Sequence, residues 1–123
     1  MVLPRIKNDF VELLTACSEK KLNQINLEIN TDYYTNVVLA SGGYPEDYQK
    51  GFEISGLNEV EDSIVFHAGT SFNNKKVVTN GGRVISVVSS AKTMKEALNN
   101  SYSNIEKINF KGKVYRKDIG FDL

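Results

Sequence analysis

The residues with the most chemistry to offer lie in three turns. Asn80-Gly81-Gly82-Arg83 puts an arginine straight after two flexible residues. Backbone N–H groups in such a turn can cup an anion, and a guanidinium can grip phosphate through two parallel hydrogen bonds. The same pattern also describes a hairpin turn whose arginine pairs with a surface acid, and the local sequence leaves both readings open. His67-Ala68-Gly69-Thr70 ends an apolar run with the chain's one histidine, a small residue, a glycine and a hydroxyl. It either shapes a pocket wall or simply turns the chain. His67 could act as a general base, bond a neighbouring carbonyl or touch a ligand, but no nucleophile stands at a motif spacing from it. The third turn follows the run Val37–Ala40, in the segment VVLASGGYPEDYQKG. Gly42 and Gly43 can reach positive φ and let a partner approach the backbone closely. Pro45 fixes its own φ and biases Tyr44 toward extended geometry.

No catalytic or metal-binding set assembles around these turns. The carboxylates are scattered, with no pair spaced for acid–base work or metal ligation. There is no phosphate loop and no dinucleotide fingerprint. Fifteen basic residues cancel fifteen acidic ones, which argues against nucleic acid or an anionic membrane as partner, because such binding needs a charge excess. One cysteine cannot form an internal disulfide, and the chain reads as a reduced, cytoplasmic protein. Cys17 has apolar neighbours at helical spacing and is expected to be an inert core thiol. No apolar run approaches the ~20 residues of a membrane span, and the first residues lack the hydrophobic stretch of a signal peptide.

The elements that must hold these turns fit one domain spanning 1–123. Residues 4–17 read as a helix, with Ile6, Phe10, Leu13, Leu14 and Cys17 on one stripe and Pro4 in the first turn. Residues 18–32 read as a helix tail and polar linker. Short β-type runs follow: 34–40, a brief strand at 51–54, 63–68, 76–79 after an Asn73-Asn74 turn, and 83–88. Thr93 and Glu96 form a capping box that opens a second helix, with Met94, Ala97, Leu98, Tyr102 and Ile105 as its apolar stripe. A turn at 111–113 and a last strand at 114–115 close the chain. Arg116-Lys117-Asp118 reads as an ion-pair lock for this tail, worth only ~0–1 kcal/mol if exposed. Two helices flanking a mostly antiparallel sheet make an α+β domain.

Taken together, LPRIKNDFVELL, VVLASGGYPEDYQKG, VFHAGT, VVTNGGRVISVV and YRKDIG resemble the C-terminal domain of the phosphoribosylamine–glycine ligase family, also called glycinamide ribonucleotide synthetases. The resemblance runs from Leu3 to Gly120. It implies an ATP-grasp ligase of de novo purine biosynthesis that joins glycine to 5-phosphoribosylamine through a glycyl phosphate intermediate, releasing ADP and phosphate. It further implies a small antiparallel sheet or partly closed barrel with helices packed on it. ATP and Mg²⁺ (or Mn²⁺) would sit mainly in the ATP-grasp domain, outside this chain. The partners implied are that domain, the N-terminal domain of the same polypeptide, and the two substrates. On this likeness Met1 reads as a start codon added to part of a longer ligase, and this chain alone is expected to be inactive.

By analogy with related ATP-grasp enzymes, Arg83 would meet the phosphate of phosphoribosylamine, helped by backbone N–H groups near Gly81 and Gly82. Gly42, Gly43 and Tyr44 would line the cleft, with His67 and Thr70 close by. Two other readings stand beside this one. The chain could be a binding module for a phosphorylated small molecule without chemistry of its own, or an interaction domain that covers a neighbour.

Overall fold

Aromatic, β-branched and apolar residues fill 33–41, ending in the run Val37–Ala40, and this segment forms strand β1 (Tyr33–Ser41). Its Thr35, Val37, Leu39 and Ser41 are buried, and the residues between them are half-buried. A period of two places one set on the core face. The structure, a computed structural model, describes residues 2–121. Met1, read above as an added start, lies outside the described residues.

β1 runs antiparallel to β5 (Arg83–Ala91), from Tyr33 opposite Ala91 to Ala40 opposite Arg83, with a bulge between Leu39 and Ala40. β2 (Ser63–His67) pairs with the other edge of β5, and β6 (Lys113–Val114) with the other edge of β1. The order is therefore β2-β5-β1-β6, every pair antiparallel. Of the two forms expected, the sheet takes the open one, with β2 and β6 as its edges. A separate hairpin joins β3 (Thr70–Asn73) to β4 (Lys76–Thr79). Asn74 and Lys75 adopt φ of 48° and 66° at its turn, the left-handed geometry that matches the twist of a tight hairpin.

The helix on this sheet is α2 (Met94–Lys107). The Thr93 hydroxyl accepts a hydrogen bond from the Glu96 N–H at 3.2 Å, as the capping pattern predicts. At the other end Lys113 Nζ donates to the carbonyls of Ile105 and Ile108, at 3.0 and 2.8 Å. It thereby adds a charged donor to carbonyls at the helix end, where intrahelical partners run out. Val37, Leu39, Val84, Ile85 and Val87 of the sheet pack with Ile105, Ile108, Ile54 and Phe110 in one core. Each large aliphatic side chain buried there contributes about 1.5–3 kcal/mol.

The chain divides into two compact units, Met1–Asp32 and Tyr33–Leu123. In the first, the helix expected over 4–17 is replaced by a 3-10 turn, Leu3–Arg5, and a later helix α1 (Phe10–Ser18). The reason is local. Asp9 accepts from the N–H groups of Val11 and Glu12, at 2.8 and 3.1 Å, and so caps a helix that starts after it. Ile6 and Lys7 instead run extended, held by the Ile6–Ile29 bridge and a 2.9 Å bond from the Lys7 N–H to the Glu28 carbonyl. The stretch read as helix tail and linker holds a 3-10 turn, Leu22–Gln24, and this return segment. Cys17 is exposed, contrary to the expected core thiol. Only Leu13 and Ala16 of α1 are buried, so the helix covers a narrower stripe than its apolar residues mark out.

Two further expectations are corrected in the second unit. The strand expected at 51–54 makes a single bridge, Glu53 to Val78, because by Ser55 the segment has moved to a bridge with Asn109. The final strand is β6, one residue earlier than expected. Arg116 and Asp118 do form a two-pronged ion pair, at 2.9 and 2.7 Å. It stays within the tail, and one link to α2 comes from the Tyr102 hydroxyl, which donates to the Arg116 carbonyl and accepts from the Ile119 N–H.

Helix and sheet are also joined by a chain of buried polar groups. Thr35 Oγ1 donates to the Ala97 carbonyl at 3.0 Å and lies 2.7 Å from Ser101 Oγ. Ser101 Oγ donates to Ser89 Oγ at 2.8 Å, and Ser89 Oγ lies 2.6 Å from Ser63 Oγ. Asn104 ends the chain, donating to Ser63 Oγ and the Glu61 carbonyl and accepting from the Glu61 N–H.

Two measurements test this account. Ser101→Ala removes the central hydroxyl and leaves its buried partners short of a bond, so it should cost about 1–3 kcal/mol; an unchanged urea midpoint would refute the role given to the chain. The Tyr115 hydroxyl donates a short bond to the Glu106 carboxylate. The bond favours ionised glutamate and neutral phenol, holding Glu106 below the usual carboxylate range and Tyr115 above the usual phenol range. The contact therefore stabilises the fold between the two titrations. It is lost as acid protonates Glu106 and as alkali ionises Tyr115. Glu106→Gln should return the Tyr115 titration toward its ordinary value in an ultraviolet pH titration.

Candidate functional site

The three turns singled out above converge at one end of the β1–β5 pair. Ser41 closes β1, and its N–H donates to the Gly82 carbonyl at 2.8 Å. Its hydroxyl donates to the Gly81 carbonyl at 2.9 Å. From the other side, the N–H groups of Ala68 and Gly69 both donate to the Val84 carbonyl at 3.1 Å, and the Asn80 N–H donates to the Gly69 carbonyl at 2.7 Å. The 41–48 turn folds back on itself: the Tyr44 N–H donates to the Ser41 carbonyl and the Glu46 N–H to the Gly43 carbonyl. The Tyr44–Pro45 bond is cis.

Glycine is required where these backbones meet. A Cβ on Gly82 would lie 2.0 Å from the Tyr44 ring, so the tyrosine rests directly on the turn. A Cβ on Gly69 would lie 2.6 Å from the Gly81 Cα. At Gly69 and Gly82 the close approach is made by the chain to itself.

An open groove of about 530 Å³ runs over this junction, lined by Val38, Tyr44, Ala68, Gly69, Gly82, Arg83 and Ser86. Arg83 is exposed, and among the described residues its guanidinium has no hydrogen-bond or ion-pair partner. The surface acid that would have made it an ordinary hairpin arginine is therefore not among those residues. Ser86 Oγ donates a short bond to Asn36 Oδ1 within the sheet. A lone cation beside backbone amides and hydroxyls can hold an anionic oxygen cluster.

The other expected site residues fall elsewhere. Gly81 supports the groove from behind, through the Ser41 bond and its contact with Gly69. Gly42 lines a separate groove of about 400 Å³ with Asp47, Tyr48, Phe52 and Lys111, and its N–H donates to the Gly112 carbonyl at 2.7 Å. Gly43 has φ +98°, and a Cβ there would lie 2.2 Å from the Asp47 carbonyl oxygen, so its part is to close the turn. His67 Nδ1 lies 3.0 Å from Thr70 Oγ1. The pair flanks Ala68 and Gly69, which line the groove in its place. Sequence reasoning missed Ser41 and Ser86. Ser86 stands opposite both Val38 and Phe66 across the sheet, a placement that register alone reveals.

No carboxylate lines this groove and its one charged lining residue is the cation Arg83, a chemistry that does not suit Mg²⁺; among the described residues no three His, Cys, Asp or Glu side chains converge to hold a metal ion. No helix among them is long and apolar enough to cross a membrane.

Comparison with known proteins places these features in a family. Residues 34–122 match the family described as phosphoribosylglycinamide synthetase, C domain. The chain is 49% identical over 118 residues to the phosphoribosylamine–glycine ligase of Caldanaerobacter subterraneus, covering 96% of this chain and 28% of that protein. It is 44% identical to a bifunctional purine biosynthetic protein of Dictyostelium discoideum, covering 98% of this chain and 15% of that one. The crystal structure of phosphoribosylamine–glycine ligase from Thermotoga maritima superposes with a TM-score of 0.71 at 34% identity, over 87% of this chain and 27% of that one. The chain thus spans less than a third of the length of these relatives. The match over most of its residues, with an open antiparallel sheet carrying the glycine–arginine turn, shows that the chain belongs to the family of phosphoribosylglycinamide synthetase C domains.

Proposed function

We propose that this chain serves as the C-terminal domain of a cytoplasmic phosphoribosylamine–glycine ligase of purine biosynthesis. The whole enzyme would join glycine to 5-phosphoribosylamine at the expense of ATP, giving glycinamide ribonucleotide, ADP and phosphate. Support comes from its family and from ligases of that name aligned along nearly its full length. ATP and Mg²⁺ would be held by other parts of the polypeptide, since the described residues gather no metal set and the sequence holds no phosphate loop.

Within that enzyme the chain would form one wall of the substrate cleft. The observation that carries this is the unpartnered Arg83 in the groove over Gly82. Its guanidinium would take the phosphate of phosphoribosylamine, with Tyr44 as a side wall. A planar guanidinium suits a phosphate because two N–H groups meet two oxygens at once. The contact binds and orients the substrate and takes no part in proton transfer. The exposed Ile64 and Phe66 on edge strand β2 favour a second, compatible role, covering a neighbouring domain of the same polypeptide.

In the full-length ligase, Arg83→Ala should raise KM for phosphoribosylamine by roughly tenfold to a hundredfold, the worth of a charge-assisted hydrogen bond, with the KM values for ATP and glycine unchanged. An unchanged KM for phosphoribosylamine would remove Arg83 from the site. The 123-residue chain alone should show no ATP hydrolysis dependent on glycine and phosphoribosylamine. Turnover above background would overturn the division of labour proposed here.

A further inference from the structure

We propose that Ser41 is a positioning residue for the phosphate subsite. It would hold the Gly81–Arg83 turn so that the N–H groups of Gly82 and Arg83 face the groove beside the Arg83 guanidinium. This rests on the reading of Arg83 as the phosphate contact.

Ser41 is 4% exposed, and it spends two donors on one turn. Its N–H takes the Gly82 carbonyl at 2.8 Å, and its Oγ–H takes the Gly81 carbonyl at 2.9 Å. In a regular strand successive carbonyls point to opposite sides. Here two successive carbonyls turn to the same residue, at the end of a ladder already irregular at Leu39–Ala40. In a trans peptide the N–H lies opposite the C=O. The N–H groups of Gly82 and Arg83 therefore both face away from Ser41, and both residues line the groove. Successive N–H groups turned the same way make a concavity that suits an anion. The Tyr44 ring, resting on Gly82, holds the turn from another direction. The subsite so built offers a guanidinium and two amides, a donor set matched to a phosphomonoester. Its hydroxyl clamp lies behind the turn and needs no contact with the ligand.

The test uses the full-length ligase and compares Ser41→Ala, Ser41→Thr and Arg83→Ala. Ser41→Ala should raise KM for phosphoribosylamine by roughly tenfold, the worth of one orienting hydrogen bond, while kcat and the KM values for ATP and glycine stay put. Ser41→Thr keeps the hydroxyl and should stay within about twofold of the parent, on the same reasoning. If Arg83→Ala raises KM for phosphoribosylamine and Ser41→Ala does not, the positioning role is wrong and the phosphate contact stands. If Arg83→Ala leaves that KM unchanged, the phosphate contact falls and the positioning role with it. A Ser41→Ala change that disturbs kcat and all three KM values alike would mark a general structural role and also overturn the proposal. Should Ser41→Ala fail to fold, titration of the unaltered ligase with inorganic phosphate decides. The amide resonances of Gly82 and Arg83 should move, and their standing still while the Arg83 side-chain resonances shift would refute the amide subsite.

Discussion

The pairing of β1 with β5 is the constraint on which the second unit depends. Two nine-residue strands run antiparallel along almost their whole length. Each lends its outer edge to a shorter strand, so β2 and β6 have no place without the central pair. The side-chain period of two puts Val37, Leu39, Ile85 and Val87 on the face that packs with Ile105 and Ile108. A slip of one residue would turn this whole set to the other face. It would also carry Ser41 away from Gly81 and Gly82. The register that builds the core is therefore the register that builds the groove.

Apolar packing alone would let a helix slide on such a surface, because dispersion is not directional. The polar chain through Thr35, Ser101, Ser89, Ser63 and Asn104 supplies direction. It crosses from β1 to α2, to β5, and on to the start of β2. Each hydroxyl offers one donor and two acceptors, and among the described residues no buried side-chain nitrogen or oxygen lacks a partner. A network satisfied in this way fixes one placement of the helix, since every shifted placement strands a polar group in the core.

The groove over Gly82 is one-sided. Arg83 stands exposed above a floor of backbone and small side chains, and an exposed ion pair is worth only ~0–1 kcal/mol because water screens it. The same contact strengthens when a second wall excludes water. On the reading proposed above, a second wall supplied by another part of the ligase would strengthen the contact in this way. The glycines serve this arrangement indirectly. Gly69, Gly81 and Gly82 let three backbones and the Tyr44 ring meet closely enough to set the arginine on a rigid base.

Local patterns in the sequence were sufficient where a residue's own neighbours decide its state. The β-type run over 34–40, the Thr93 cap and the α+β class are all of this kind, and the hairpin turn expected at Asn73-Asn74 falls one residue later, at Asn74 and Lys75. The motif likeness gave the family, because its residues recur in order along the chain. The expected start of the first helix failed, because Asp9 outcompeted Pro4 as the place to begin and Ile6 and Lys7 found partners about twenty residues away. Ser101 and Asn104 were not legible as core residues, since hydroxyls and amides are read as surface until their partners in other elements are known. The site divided in the same way. Arg83 and Gly82 announced themselves by type and spacing, whereas Gly42 went to a different groove and Ser41 gained its place by bonds across forty residues. A sequence determines which groups are available within a turn or two. Which distant carbonyl each buried donor must find is decided only when the strands pair, because an unmet polar group in the core is costly enough to dictate the answer.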